Sequence, residues 1–341
     1  MSKKIGIGII GTGAVAEHHI KSVRELEGCE LIGLASSTQE RAKMMAERWG
    51  IRTYGDYRNL LANNDIRAVI ICTHSGNHME PVVAAARAGK HVLVEKPLEV
   101  SLQRADAMID ACREAGVKFG CVFQNRFSPD FQLLQQAVAE GALGKLTLGN
   151  AYIKWYRAPE YYQSSFWKGT FAGDGGAALI NQGIHTIDLL LAVMGQAESV
   201  FGKVKTVKHQ IEGEDLGVAL VSFSNGALGT VEGSTAIVPG YPERLEIYGT
   251  RGSVILEGGK IIAWNVPAME RPKPAAPEEK ASGAADPMAI GHQLHKIQIA
   301  DFLDAIRDDR PPAVTGEEGR RALALILKIY ESAKKGKEVK V

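Results

Sequence analysis

Residues 5–16 read Ile-Gly-Ile-Gly-Ile-Ile-Gly-Thr-Gly-Ala-Val-Ala, and this stretch decides the fold. Its first six residues carry no charged face, the pattern of a strand buried on both sides of a parallel sheet. Gly11-Thr12-Gly13 breaks the strand, and residues 14–26 resume with helical periodicity. Strand, glycine turn and helix in that order are the setting in which GxGxxA carries meaning. Gly11 permits the tight turn, Gly13 lets the backbone approach a pyrophosphate, and Ala16 lets the helix close on the strand. The first helical N–H groups favour an anion at that spot. Gly11, Thr12, Gly13, Ala14 and Val15 are therefore expected to cradle a dinucleotide.

The same grammar continues outward from this stretch. Apolar strands read at 30–35, 68–72, 91–95 and 118–122, with helices at 38–49, 57–62, 79–88 and 101–115 between them. That alternation predicts an α/β domain over 1–123, a doubly wound parallel sheet of the Rossmann kind. At the end of the second strand stand Ala35-Ser36-Ser37-Thr38, with Arg41 one helical turn on. A carboxylate there would hold the ribose 2′-hydroxyl of NAD. Its place is taken by the hydroxyls of Ser36 and Ser37 and the guanidinium of Arg41, which suit a 2′-phosphate. NADP is thereby favoured over NAD. Thr73, His74 and His78 follow the strand at 68–72 and are candidate cofactor contacts, with loop shaping as the other role open to Thr73 and His78. His18 and His19, inside the first helix, read as packing or capping residues.

After Gln124 the pattern changes. One amphipathic helix at 131–140 precedes alternating strands at 146–154, 197–208, 218–223, 226–235 and 244–249. Asn225-Gly226 and Thr250-Arg251-Gly252 are hairpin signals. Residues 124–316 are expected to form an α+β domain on one open, mostly antiparallel sheet for substrate and self-association. Helices cover one face, and a second subunit covers the other, giving a homodimer or homotetramer. Residues 267–287, rich in Pro, Ala and Glu, read as a mobile loop. A C-terminal helix over 317–335 carries Ala322, Leu325, Ile326 and Ile329 on one stripe, so 317–341 should dock on the body.

Composition narrows the function classes. The 341 residues hold 40 basic and 39 acidic side chains, net +1, which argues against nucleic-acid and membrane-surface partners. Cys29, Cys72, Cys112 and Cys121 form no CxxC pair and read as core residues in a reducing compartment. Met1-Ser2-Lys3-Lys4 leads straight into a strand, with no signal peptide, and no apolar run is judged long enough to cross a bilayer. The expectation is a cytoplasmic protein.

Two segments carry the chemistry. Val92-Leu93-Val94-Glu95-Lys96-Pro97-Leu98 ends a buried strand with a charged pair and a proline that cannot extend a ladder. In open α/β sheets ligands bind beyond the carboxyl ends of the strands, which places Lys96 there, with Glu95 beside it. The second segment, 173–188, is glycine-rich and then helical. Asn181, His185 and Asp188 recur on one face of an otherwise apolar helix. Polar groups in such a helix are costly unless they line a cavity or form a buried network. Removing hydride from a secondary alcohol requires a group that takes the hydroxyl proton, and Lys96 and His185 are the candidate pair. No second His or Cys stands near His185, so no metal is expected. Arg126, Tyr156, Arg157 and Trp167 are candidate substrate contacts, aromatics for sugar C–H faces and guanidinium groups for oxygens.

These residues carry a resemblance. GxGxxA at the N-terminus, Ala-Gly-Lys-His-Val-Leu-Val-Glu-Lys-Pro at 88–97, and Gly175-Gly176 followed by Asn181, Gly183, His185 and Asp188 resemble the glucose–fructose oxidoreductase / inositol dehydrogenase / MocA (GFO/IDH/MocA) family over nearly the whole chain. The resemblance implies a Rossmann domain followed by an α/β domain whose open sheet makes dimers or tetramers. It also implies Lys96 as catalytic lysine, His185 as acid/base partner, and a sugar, cyclitol or nucleotide-linked sugar as substrate. Many members carry Asp where this chain has Asn181. Asn cannot accept the proton, so Asn181 is expected to orient substrate, with Asp188 tuning the imidazole. The Asn-Gln-Gly-Ile-His version, with Trp-Lys-Gly-Thr upstream, is similar to the branch that oxidises UDP-N-acetylglucosaminuronic acid at C3.

The expectation is an NAD(P)-dependent oxidoreductase acting on a ring hydroxyl or ketone. Two other classes remain open: a non-redox glycoside-processing enzyme that uses tightly held NAD transiently, and a catalytically silent dinucleotide-binding regulator.

Overall fold

The computed structural model describes residues 4–272 and 291–341. The chain forms two compact units. The first comprises residues 1–124, 172–174 and 292–320; the second comprises 125–171, 175–291 and 321–341.

The first unit is built on six strands, β1 (Ile5–Ile10), β2 (Cys29–Ala35), β3 (Thr53–Tyr54), β4 (Ile66–Ile71), β5 (His91–Val94) and β6 (Phe119–Cys121). All pair in parallel, in the order β3-β2-β1-β4-β5-β6. This is the doubly wound order, and its switch point lies between β1 and β4, where dinucleotides bind. All six residues of β1 are buried, as an isoleucine-rich central strand requires.

Residues 292–320 group with this first unit, whereas the sequence reading had placed 292–316 in the second domain and 317–320 in the C-terminal helix. The reason is packing. On the helix Gln293–Arg307, Ile299, Phe302, Leu303 and Ile306 enter the same apolar cluster as Ile5, Ile7, Ile9, Ile20 and Val23. An amphipathic helix goes where its apolar stripe is buried, whatever its place in the chain.

The second unit carries β7 (Leu146–Lys154), β8 (Ala197–Lys205), β9 (Leu216–Phe223), β10 (Leu228–Ser234), β11 (Arg244–Gly249), β12 (Ser253–Glu257), β13 (Lys260–Asn265) and β14 (Val339–Lys340). They form one sheet in the order β13-β12-β11-β7-β10-β9-β8-β14. Only β7 and β10 pair in parallel; the other neighbours are antiparallel. Strands β12, β13 and β14 were not foreseen. The expected loop at 267–287 falls largely outside the described residues.

Phe171–Met194 corrects one expectation: by length and composition this 24-residue stretch is apolar enough to cross a membrane. Its most apolar part is 83% buried within the protein, which makes it core. It is not one α-helix either. Ala178–Gly183 is a π-helical turn that passes into the α-helix Ile184–Met194. A π turn shifts the register by about one residue and is frequent at functional sites. The sheet is shaped to receive it: a Cβ added at Gly233 would lie 2.5 Å from Leu179 Cδ2, so only glycine lets the turn sit this close.

Candidate active site

In the first unit, Gly11 makes the turn after β1. Its φ is +108°, and a Cβ there would lie 2.5 Å from the Cys72 carbonyl and 2.7 Å from Thr73 N. The turn therefore presses against the carboxyl end of β4, at the switch point. Gly13 caps the following helix Ala14–Arg24, and a Cβ there would come no closer than 3.8 Å to the Cys72 oxygen. That leaves a glycine-lined cradle at a helix N-terminus, which fits a pyrophosphate. Ala14 is exposed, and Thr12 and Val15 are half-buried beside it.

At the end of β2, Ser36 is buried. Its hydroxyl bonds Thr12 Oγ1 at 3.0 Å and accepts from Thr38 N at 3.2 Å. Ser37 and Arg41 are exposed. Ser36 thus ties the glycine turn to β2, while Ser37 and Arg41 remain at the surface. Across the sheet edge, Thr73 Oγ1 donates to the Asn77 carbonyl at 2.8 Å, and His74 is half-buried. His78 is fully buried: Nε2 lies 3.1 Å from the Thr73 oxygen, and Nδ1 lies 3.0 and 3.2 Å from the Pro97 and Leu98 oxygens. Of its two sequence-predicted roles, the ring is committed to shaping the loop.

Glu95 and Lys96 follow β5. Glu95 is buried; its Oε1 lies 2.7 Å from His19 Nε2, and its Oε2 accepts from the backbone N of Lys96 at 3.1 Å. Burial alone would raise its pKa, but the hydrogen bond to His19 and the nearness of His19, His295 and Lys96 bring it down to about 2. The carboxylate thus holds the Lys96 backbone. Lys96 is half-buried at the carboxyl edge of the sheet, beside β4.

By residue type, His19, Glu95 and His295 could ligate a cation, with candidate ligand atoms within 4.8 Å of one another. Metal-bound histidines usually anchor their second nitrogen. Here the Nδ1 atoms of His19 and His295 have no partner among the described residues. The arrangement is that of a hydrogen-bonded core cluster.

In the second unit, Asn181 and His185 are half-buried, while every other residue from Ala177 to Leu191 is buried. Asp188, expected on their face, is instead buried in a two-pronged pair with Arg126. Arg126 Nε and Nη2 donate to its two oxygens at 2.7 and 2.6 Å. Arg157 is buried as well: Nε and Nη2 donate to Gln182 Oε1 at 3.0 and 2.7 Å, and Nη1 donates to the Tyr156 carbonyl. Arg126, Asp188 and Arg157 thus brace the site from within. Tyr156 and Trp167 are half-buried, with Lys208 Nζ 4.4 Å from the Tyr156 ring. Trp155 and Tyr162 from the same segment belong to the core.

The sequence reading missed three groups. Gln182 stood inside the quoted motif but off the assumed helical face. His295 lies in no motif. Glu214 is the third: its Oε2 accepts from Ala177 N, and its Oε1 accepts from Leu179 N and Tyr330 Oη, at 3.2, 2.7 and 2.8 Å. It caps the start of the π turn, and burial pushes its carboxyl up to about 7 against the pull of those donors.

A glycine-turn Rossmann unit, joined to an open-sheet unit bearing a polar helix start, defines a two-unit dinucleotide-dependent oxidoreductase. The chain belongs to the GFO/IDH/MocA family: the model for an oxidoreductase family with an NAD-binding Rossmann fold matches residues 5–123, and that of the GFO/IDH/MocA C-terminal domain matches 131–255. It is 27% identical to a myo-inositol 2-dehydrogenase of Thermotoga maritima, over 98% of each chain. It is 26% identical to a 1,5-anhydro-D-fructose reductase of Ensifer adhaerens, again over 98% of each. Among solved structures, the WlbA dehydrogenase of Bordetella pertussis, in complex with NADH and UDP-GlcNAcA, aligns with a TM-score of 0.88 at 29% identity, over 99% of both chains.

Proposed function

We propose that this chain oxidises a ring hydroxyl, or reduces the matching ketone, of a sugar, cyclitol or nucleotide-linked sugar. The observation that carries this reading is the pairing, on one sheet edge, of the Gly11 turn at the switch point with Lys96 beyond β5. Bound nicotinamide supplies the hydride chemistry. Lys96 polarises the substrate oxygen, and a lysine next to a cationic ring loses its proton more readily than one in water. His185 takes up the hydroxyl proton and returns it in the reverse direction. Tyr156 and Trp167 pack on the sugar, and Arg126 and Asp188 keep the helix beneath it in place. The test is nicotinamide absorbance with purified protein against free sugars, cyclitols, sugar acids and nucleotide sugars. Cofactor held through purification, with no turnover across that panel, would replace this reading with transient internal redox.

NADP is the preferred cofactor in this reading. Ser36 is occupied internally, which leaves the exposed Ser37 and Arg41 for a 2′-phosphate, and residues 36–38 include no carboxylate to repel it. Arg41→Ala should lower the ratio of kcat/KM for NADP⁺ over NAD⁺ by about tenfold, the worth of one bond to a charged group. The NAD⁺ value itself should barely move. An unchanged ratio would remove Arg41 from the cofactor site. Four free, buried cysteines suit a reducing, cytoplasmic compartment.

Self-association through the outer face of the large sheet completes the reading. Leu220 is 61% exposed and Leu228 60% exposed. Phe201 stands directly opposite Leu220, and Leu148 opposite Leu228. A contiguous apolar sheet face calls for a cover. Leu220→Lys should shift the protein to monomer in sedimentation at micromolar concentration without lowering its helix content. An unaltered sedimentation coefficient would move the interface elsewhere.

A further inference from the structure

One residue takes up the whole start of the π turn. Glu214 Oε2 accepts from Ala177 N at 3.2 Å, its carbonyl oxygen accepts from Ala178 N at 2.9 Å, and its Oε1 accepts from Leu179 N at 2.7 Å. These are the donors that a helix start leaves without intrahelical partners, and all three end on a single residue. Tyr330 Oη donates to Oε1 as well, at 2.8 Å. Glycines let the two segments lie this close. A Cβ at Gly176, where φ is +142°, would stand 2.5 Å from Tyr330 Oη and 2.9 Å from Glu214 Oε2. One at Gly213 would stand 2.7 Å from the Gly176 carbonyl carbon. Leu179 itself is seated between Gly217 and Gly233, where an added Cβ would lie 2.7 and 2.5 Å from its methyl groups. His185 follows on the same segment, in the helix that the anchored turn leads into.

We propose that Glu214 is a positioning residue for the candidate site: by holding the amides of 177–179, its carboxylate sets the direction from which the turn presents His185. This rests on the sugar-dehydrogenase reading, in which His185 moves the hydroxyl proton. The hold depends on charge. An ionised carboxylate offers only acceptors, whereas a protonated one carries an O–H in place of one of them. Oε1 faces two donors and Oε2 one, so the proton goes to Oε2 and weakens the bond from Ala177. Burial drives the carboxyl up to about 7 against the pull of its donors, so both forms occur at neutral pH. The other ionisable groups around it line one cleft of the second unit: Tyr330, Glu331 and Lys334 from the helix Gly316–Lys335, Lys205 from β8, and Glu212 from the loop between β8 and β9. Glu331 pairs with Lys328 and Lys335, and Glu212 accepts from Phe171 N. Asp215, the next residue, is turned to the amides of Val207, Lys208 and His209.

The deciding variant is Glu214→Gln. Its amide oxygen still serves Leu179 N and Tyr330 Oη, which leaves its NH2 against Ala177 N, donor to donor. The measurement is kcat as a function of pH, with NADP⁺ and whichever member of the sugar, cyclitol and nucleotide-sugar panel the wild type turns over. The ratio of wild type to variant cancels the imidazole limb, which both proteins share. That ratio should be about tenfold in alkaline buffer, the worth of one bond to a charged acceptor, and should close on the acid side of neutrality. KM for the dinucleotide should not move, because the cradle at Gly11–Gly13 belongs to the other unit. Tyr330→Phe keeps the carboxylate and its backbone bonds but removes a donor that favours the charged form. It should retain the alkaline rate and move the midpoint of the profile upward. A ratio near one at every pH overturns the proposal. So does a ratio above one that is flat with pH, which would make Glu214 a structural cap and nothing more. Should wild type turn over no member, the dehydrogenase reading fails separately, and deuterium exchange of the 177–179 amides in alkaline buffer, which needs no substrate, decides the rest. Exchange about tenfold faster in Glu214→Gln upholds the hold on the turn, and equal exchange overturns it.

Discussion

Lys96→Ala should reduce kcat by about 10²- to 10⁴-fold, the usual contribution of a positioned acid or base, while dinucleotide affinity changes by no more than a few-fold. The split follows from where the residue stands. Its backbone is held from beneath, since its N–H donates to Glu95 Oε2 and the next two carbonyls face His78. Its side chain is half-buried at the sheet edge and carries none of the buried apolar packing. Truncation therefore removes an ammonium group and leaves the glycine cradle at 11–13 as it was. Single-turnover kinetics gives the chemical step, and titration calorimetry with NADP⁺ gives the affinity. His185→Ala should also slow the chemical step and should flatten the limb of the pH–rate profile that reports an imidazole. A loss of less than about tenfold for Lys96→Ala would take the lysine off the reacting oxygen. Equal losses in kcat and cofactor affinity would make it a cofactor anchor instead.

Local signals account for what could be read in advance. β1 and the Gly11 turn were legible because strand, turn and helix sit together in twelve residues, and Gly11 has a steric reason to be there. The doubly wound class followed, since alternating strands and helices admit few windings, but the two-residue edge strand β3 was not foreseen. The helix Gln293–Arg307 was not legible as part of the first unit. Its apolar stripe specifies burial, but nothing local says against which core, and the members of that core lie far earlier in the chain, β1 at its very start.

The site was legible by residue type and less so by geometry. Asn181 and His185 are both half-buried in an otherwise buried run. Asp188 does not join them, because both of its oxygens are taken by Arg126. Within the π turn at Ala178–Gly183, Gln182 bonds Asn181, a contact that no periodicity scan would seek. Arg126, Arg157, Glu95 and His78 were all identified as polar residues with work to do. Each proves to be turned inward on a partner, and only packing reveals which way a long side chain faces.

The buried cluster beside Lys96 sets the acid limit of the fold. His295 is buried, stacked on His18 at 5.6 Å and edge-on to His19 at 5.2 Å between ring centroids. Burial, aided by His19, pushes its pKa down to about 3, with Glu95 opposing. Between the ordinary value of 6.5 and 3, the unfolded chain binds a proton at this site that the folded chain refuses. Stability must therefore fall as pH falls through that window, by up to about 1.4 kcal/mol per pH unit for one site. Glu95 adds to this lower down. Its carboxylate stabilises the fold fully above 4.5, and that contribution is lost as pH falls from 4.5 towards about 2. His18, His78 and His91 are also lowered by burial and act with the same sign, so the wild-type slope between pH 6.5 and 5 belongs to several imidazoles. His295→Gln isolates one of them: it keeps a polar side chain of similar length and removes the titration. Urea midpoints at pH 7, 6 and 5, at fixed protein concentration, should show a variant less stable than wild type at pH 7 whose stability declines more slowly by about one proton's worth. Parallel curves for the two proteins would mean that His295 does not titrate differently on folding. Convergence towards pH 5 would tie acid sensitivity to the cluster that holds Glu95, and through its bond to the Lys96 backbone, to the catalytic edge of the sheet.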